Sequence, residues 1–261
     1  MIDFHTHIFP TELAQRAIPI LSKTAGNIIN YTNGTENGLI SSMNKNGVLY
    51  SVVLNIATNG NQMQKVNDFA IETNKNDRFI AFGSVYPKTD NAIEELHRLY
   101  ENGIKGIKLH PEYQDFFVDD DKYYKLYETI SKLGLITVFH AGHDLGYKNS
   151  DRAAPVRFKN ILKAFTSPVV FAHFGGYDSW DEVLDNLAGE NCYFDTSFCF
   201  GRIPLPMAKE IVKIHGADKI LFGTDSPWSC IEHELRLIDA LELKEEDRQA
   251  VLHGNAEKML F

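Results

Sequence analysis

Cysteine is scarce in this 261-residue chain, with only Cys192, Cys199 and Cys230 present. An odd number without paired CxxC spacing argues against a disulfide framework and a Cys-rich metal site, so the three read as reduced thiols in the fold. Long apolar runs are missing too: none approaches roughly eighteen residues. Asp3, His5 and His7 break up the first seven positions. Neither a membrane span nor a secretory leader is expected, and the chain is expected to be soluble and cytoplasmic. Positive charge is the minority sign, 26 Lys and Arg against 35 Asp and Glu for a net of -9, with no basic run. Nucleic acid and membranes are therefore not expected partners. Finally, HIFPTEL follows the first apolar run where a doubly wound nucleotide-binding sheet would carry a glycine-rich phosphate loop.

What the chain does have is repetition. Eight short apolar, β-branched runs occur at residues 2–5, 48–55, 79–85, 106–110, 135–140, 168–173, 192–197 and 219–225. Most are apolar nearly throughout, as strands covered on both faces are. Amphipathic segments such as NAIEELHRLYENG and PMAKEIVKIHG separate them, several closing on a glycine suited to a helix C-cap. Strand then helix, eight times over, predicts an α/β fold of the (β/α)8 barrel type, a single domain over residues 1–261. Two strand-to-helix gaps are long. TAGNIINYTNGTENG at 24–38 and GHDLGYKNSDRAA at 142–154 are expected to be loops over the barrel's carboxyl-terminal, catalytic end.

Five of the ten histidines fall at predicted strand carboxyl ends: His5 with His7 just beyond it, His110, His140 and His173, counted with Asp225 at the end of the eighth run. On a regular strand His5 and His7 project together while Phe4 and Thr6 face the other way. An isolated HxH is a weak signal, equally compatible with structural hydrogen bonding. In a barrel, however, all strand carboxyl ends meet at one face, where distant ligands can surround one ion. Imidazole and carboxylate suit zinc, and also manganese, iron or nickel. His97, His215, His233 and His253 lie in helical segments and read as surface or packing residues. For Asp225 the competing reading is a helix N-cap, since TDSPW sets Asp and Ser before a proline. A barrel starting at residue 2 would reach its catalytic face within seven residues, with no preceding domain required.

HTH on the first strand, VFH followed by AG, FAHFGG, ILFGTDSPW and the terminal HGNAEKMLF together resemble the amidohydrolase superfamily. The closer likeness is to its amidohydrolase-related branch, which includes amino-carboxymuconate-semialdehyde decarboxylase and related barrel hydrolases and lactonases. The resemblance spans residues 2–260. It implies His5, His7, His140 and Asp225 as ligands of one divalent ion, zinc first, that lowers the pKa of a water and polarises a carbonyl. It also implies Asp225 and His173 as catalytic groups, His173 as acid, base or second ligand. Binuclear relatives carry a bridging carboxylated lysine or glutamate on the fourth strand, a part open to Lys108 or Glu112. The preferred assignment makes Lys108 a cation in the pocket that neutralises a carboxylate of the substrate or a neighbouring acid, with a second ion not expected.

Lys108, His110 and Arg152 are accordingly the expected substrate-binding residues. Asp195 and Ser197 share a face of the seventh run and either orient a substrate, orient an imidazole or hydrogen-bond structurally. His143, Tyr147, Lys148, Tyr177, Arg202 and Trp228 lie in predicted loops, where cations and aromatics hint at a small aromatic or anionic substrate. The first expectation is a metal-dependent hydrolase of a small carbonyl compound, an amide or lactone. The alternative is a nonoxidative decarboxylase of an unsaturated or aromatic acid, and a barrel that only binds its ligand is disfavoured by the full ligand set. A homo-oligomer is compatible with the sequence.

Overall fold

The computed structural model describes residues 1–147 and 149–261; Lys148, one of the loop cations above, lies outside the described residues. Eight parallel strands follow in order: β1 (Ile2–Thr6), β2 (Tyr50–Leu54), β3 (Phe79–Phe82), β4 (Gly106–Leu109), β5 (Ile136–Phe139), β6 (Val169–Phe171), β7 (Tyr193–Asp195) and β8 (Ile220–Leu221). Strands β1 to β3 form one ladder and β4 to β8 another. The ladders meet where Gly83 N–H donates to Gly106 O (3.0 Å) and Lys108 N–H donates to Gly83 O (2.8 Å). The ring closes between β8 and β1, with Phe4 N–H donating to Phe222 O (2.8 Å) and Asp225 N–H to His5 O (2.7 Å). This is the expected (β/α)8 barrel.

Nearly every strand residue is buried, because each strand has the barrel interior on one side and helices on the other. Val52, Phe82, Val138 and Val170 belong to the interior cluster, which Ala256 and Leu260 of the terminal helix also join. Val53, Ala81, Leu109, Phe139 and Phe171 point outward into the larger layer beneath the helices. Gly106 is required by this packing, since a Cβ there would lie 2.5 Å from the Phe82 ring and 2.7 Å from Ile136 O.

The helices that concern the site are α1 (Thr11–Thr24), α2 (Glu36–Asn46) and α3 (Gly60–Thr73). They are followed by α4 (Ala92–Glu101), α5 (Tyr124–Lys132), α6 (Pro155–Ile161), α7 (Trp180–Asn186), α8 (Leu205–His215) and α9 (Ile231–Ala240). Helix α1 occupies the first long gap ahead of the predicted loop, and α2 takes the last residues of that predicted loop. Glycine at position 34 (φ +69°) lets the loop pass beneath α1, for a Cβ there would lie 2.6 Å from Ile18. Among the described residues no helix is long and apolar enough to cross a membrane.

The strands are shorter than the apolar runs that announced them. The eighth run yields only Ile220–Leu221, and His110, His140, His173 and Asp225 all sit just past the hydrogen-bonded ladder. His173 (φ +60°) and Asp225 (φ +64°) adopt left-handed backbone, which turns the chain out of the ladder at the point where these side chains are needed. Strict alternation also fails on β1. Its register against β2 slips between Asp3 and Thr6, a bulge that brings Phe4 into the interior cluster although His5 faces inward as well.

Candidate active site and metal centre

His5 and His7 are each held by a partner on the ring nitrogen that points away from the cavity. His5 Nδ1 lies 2.8 Å from Asp195 Oδ2, and His7 Nδ1 lies 2.7 Å from the carbonyl oxygen of Leu54. Both acceptors require the proton on Nδ1, so each imidazole presents a bare Nε2. Those two nitrogens stand 3.2 Å apart, with Asp225 Oδ1 at 3.4 Å from His5 Nε2 and 3.0 Å from His7 Nε2. Three electron-rich atoms so close repel one another unless a cation lies between them. Ligands at about 2.1 Å from an ion are separated by about 3.0 Å in an octahedron and about 3.4 Å in a tetrahedron, so the trio fits a divalent ion.

Burial lowers His5 to about 4, which keeps the ring neutral and ready to ligate. Asp225 is pushed up by burial, but the imidazoles of His7, His5 and His173 around it hold it below the usual carboxylate value. Asp195, also fully buried, is held well below that value by His5, His173 and Lys108. Its Oδ1 accepts from the His173 and Ser197 N–H groups (both 3.1 Å) and from Ser197 Oγ. Asp195 therefore orients an imidazole, one of the three parts that the sequence left open.

His140, the fourth ligand implied by resemblance, does not join His5, His7 and Asp225 within 4.8 Å; it falls in a second trio with His110 and Asp144. In that trio His110 is sandwiched between Tyr113 (centroids 3.8 Å, 13°) and His140 (4.1 Å, 8°). An ion shared by two parallel rings would lie outside both ring planes, so the arrangement is a stack, with His110 Nε2 3.5 Å from Asp144 Oδ2. His140 Nδ1 instead lies 3.2 Å from His173 Nε2, and His173 Nδ1 lies 2.9 Å from the Ser197 carbonyl oxygen. With Nδ1 engaged by the Ser197 carbonyl, His173 meets His140 through Nε2, so the two imidazoles form a pair in the cavity lining.

Lys108 is almost wholly buried, its Nζ 3.4 Å from His5 Nε2, and burial lowers it to about 8. Among the described residues it has no directly paired carboxylate; Asp195 and Asp225 act on it only as neighbouring charges. Lys108, His110, His140, His173 and Asp225 all line one cavity of about 490 Å³ with His5 and His7. Arg152 does not line it. Its guanidinium is taken by Asp115 Oδ1 (2.6 Å) and Ser150 Oγ (3.0 Å) and lies over Phe117. The expected substrate contact is thus a surface ion pair. Glu112, the other candidate for a bridging ligand, is also outside the cavity lining, with Oε1 3.2 Å from Ser150 Oγ and burial raising it to about 7. Asp144 and Tyr113 do line the cavity, and no sequence motif singles them out. Asp144 gives no periodic signal because it sits in a loop.

A parallel barrel whose carboxyl-terminal mouth gathers imidazoles and carboxylates in this way defines a metal-site barrel enzyme. The chain belongs to the amidohydrolase family, whose model matches residues 2–261, and is an enzyme of that superfamily. No curated protein matches it in sequence. Among solved structures it resembles a 2,6-dihydroxybenzoate decarboxylase from Rhizobium, with 17% identity over 99% of this chain and 97% of the other and a TM-score of 0.75. A dihydroxybenzoic acid decarboxylase from a Polaromonas species, solved with manganese and the inhibitor 2-nitroresorcinol, gives 17% identity, coverage of 99% and 96%, and a TM-score of 0.73. An uncharacterised TIM-barrel protein from Bordetella bronchiseptica gives 18%, 100% and 98%, and 0.79.

Proposed function

We propose that the protein is a metal-dependent, nonoxidative decarboxylase of a small carboxylic acid. The buried, carboxylate-free Lys108 beside the His5–His7–Asp225 trio carries this reading, because an unpaired buried cation is costly and a substrate carboxylate would neutralise it. A divalent ion held by His5, His7 and Asp225, zinc or the manganese seen in the Polaromonas structure, would supply Lewis acidity at this end of the cavity. Lys108 positions the carboxylate that leaves as carbon dioxide. The electron pair of the broken carbon–carbon bond takes up a proton drawn from water, and His173, which lines the same cavity, is the group placed to relay it. The decarboxylase structures among its neighbours support this assignment.

Hydrolysis of an amide or lactone is the second reading, favoured by the held-down pKa of Asp225, which keeps this member of the trio an ionised base. A panel of aromatic and unsaturated acids, amides and lactones with metal-loaded protein separates the two. Carbon dioxide release with a product lacking the carboxyl group is expected. Addition of water with every carbon retained would favour the hydrolase, and turnover surviving complete metal removal would sink both.

A further inference from the structure

The cavity is chemically divided. At the barrel mouth it is lined by His5, His7, Lys108, His110, His173 and Asp225, whereas the part formed by α1, the loop behind it and α3 is lined by Phe9, Leu13, Leu21, Ile28, Val66 and Phe69. On α3 the facing residues Gln62, Lys65, Val66 and Phe69 recur at helical spacing, so one whole face of that helix is turned to the cavity rather than to a neighbour. Leu21, Ile28, Val66 and Phe69 are each only partly buried, although they face inward. Gln62 and Lys65 put polar groups on that face of α3, so the apolar strip is the one made by Leu21, Ile28, Val66 and Phe69, along which ordered water would find few partners. A single carboxylated ring against Lys108 leaves much of a 490 Å³ space unfilled.

We infer that the substrate carries an apolar tail, alkyl or arylalkyl, which runs from the Lys108 end along the wall between α1 and α3. The inference rests on the reading of Lys108 and its neighbours as the site of the carboxylate head. The acid is then an amphiphile, with its head held by polar groups and its body bound through area removed from water. Selection among acids falls to the chain segment of residues 9–28 and to α3, not to the strand-end histidines.

The test measures binding, so that it is independent of which reaction occurs. Straight-chain carboxylates from butanoate to dodecanoate, below their micellar concentrations, are titrated into the metal-loaded protein and followed by calorimetry. Affinity is expected to rise about fourfold per added methylene until the wall is filled, the value for burying one methylene. Val66→Trp, which blocks the wall, is expected to reduce the ratio of decanoate to butanoate affinity at least tenfold. Leu21→Asn serves as the second variant if the first does not fold, with the same result expected. A series flat with chain length overturns the inference, as does a steep series that neither folded variant changes. A steep series abolished by the variants, with no acid decarboxylated or ester-like compound hydrolysed, supports the tail and removes the proposed reaction instead.

Discussion

Asp195 Oδ2 lies 2.8 Å from His5 Nδ1, joining two residues 190 positions apart in sequence and placing a buried carboxylate behind a cavity-facing imidazole. That contact fixes the proton on Nδ1 and aims Nε2 at His7 and Asp225. Replacing Asp195 by Asn keeps the shape but offers an amide in place of a charge-assisted acceptor. Loss of such a partner lowers metal affinity about 10- to 100-fold. Competition titration with a chromogenic chelator measures it, and unchanged affinity in a folded Asp195→Asn protein would refute the assignment.

For Lys108 the expected outcome has two signs. Lys108→Met removes the cation facing the carboxylate and should reduce kcat/KM for an acid substrate by about 10- to 100-fold, the range for a hydrogen bond to a charged group. The same change removes a positive charge 3.4 Å from His5 Nε2, so metal affinity should hold or increase. A variant that loses metal along with activity would show that Lys108 supports the ion and not the substrate.

Metal removal should also be visible in stability. Without an ion, the nitrogens of His5 and His7, 3.2 Å apart, face each other with no cation between them. Saturating ion at about 100 times its dissociation constant adds about 2.7 kcal/mol. A chelator should therefore lower Tm and abolish turnover together, and His5→Ala should make Tm insensitive to added metal. An equal response to metal in His5→Ala would place the ion elsewhere.

Much of this centre was legible in the sequence because it is built from strand ends. The apolar runs located the strands, and the HxH spacing with His140, His173 and Asp225 located the mouth. The contacts that decide each role were not legible. Asp195 and His5 meet only when β8 closes the ring onto β1 and so brings β7 and β1 to its two sides, and no local pattern encodes that closure. The bulge that places Phe4 and His5 on the same side, and the left-handed turns at His173 and Asp225, depart from the regular alternation on which strand reading depends. Arg152 misled for the opposite reason: a loop cation looks free until its partner is known, and Asp115 is that partner.

A pH dependence follows from Glu234, which lies on α9 outside the cavity lining. Its fully buried carboxyl accepts from the Cys199 N–H (3.3 Å), the Phe200 N–H (3.1 Å) and Ser229 Oγ (2.6 Å), tying the loops after β7 and β8 to the helix. Burial raises it from 4.5 to about 8. The folded protein thus retains a proton that the unfolded chain releases above 4.5, so this contribution to stability is full below that value and is lost as pH rises through about 8. Asp3 and Glu112, each raised to about 7 by burial, add to the same slope. Glu234→Gln, which keeps the shape without a titrating proton, should lose less Tm than the parent between pH 5 and about pH 9. Parallel Tm profiles for the two proteins would exclude Glu234 as a source of the slope.

Gly142 controls the loop carrying His143 and Asp144. It has φ +81°, and a Cβ there would lie 2.2 Å from Tyr177 N and 2.4 Å from Gly176 C, both backbone atoms that cannot swing aside. The same junction holds three hydrogen bonds: Gly142 N–H to Ala153 O, His143 N–H to Tyr177 O and Tyr177 N–H to Ala141 O, each 2.8 Å. Alanine here must either distort the left-handed turn or separate the segments after β5 and β6, which together place His140 and His173. Gly103 is the control, with a comparable φ of +76° but no atom within 4 Å of the place a Cβ would take. Gly103→Ala should cost about 1 kcal/mol from backbone strain alone, whereas Gly142→Ala adds overpacking of about 1–3 kcal/mol. Urea midpoints measure the difference, and activity should fall further in Gly142→Ala than its stability loss explains. Equal midpoints for the two variants would mean that the junction yields without cost and does not position the histidines.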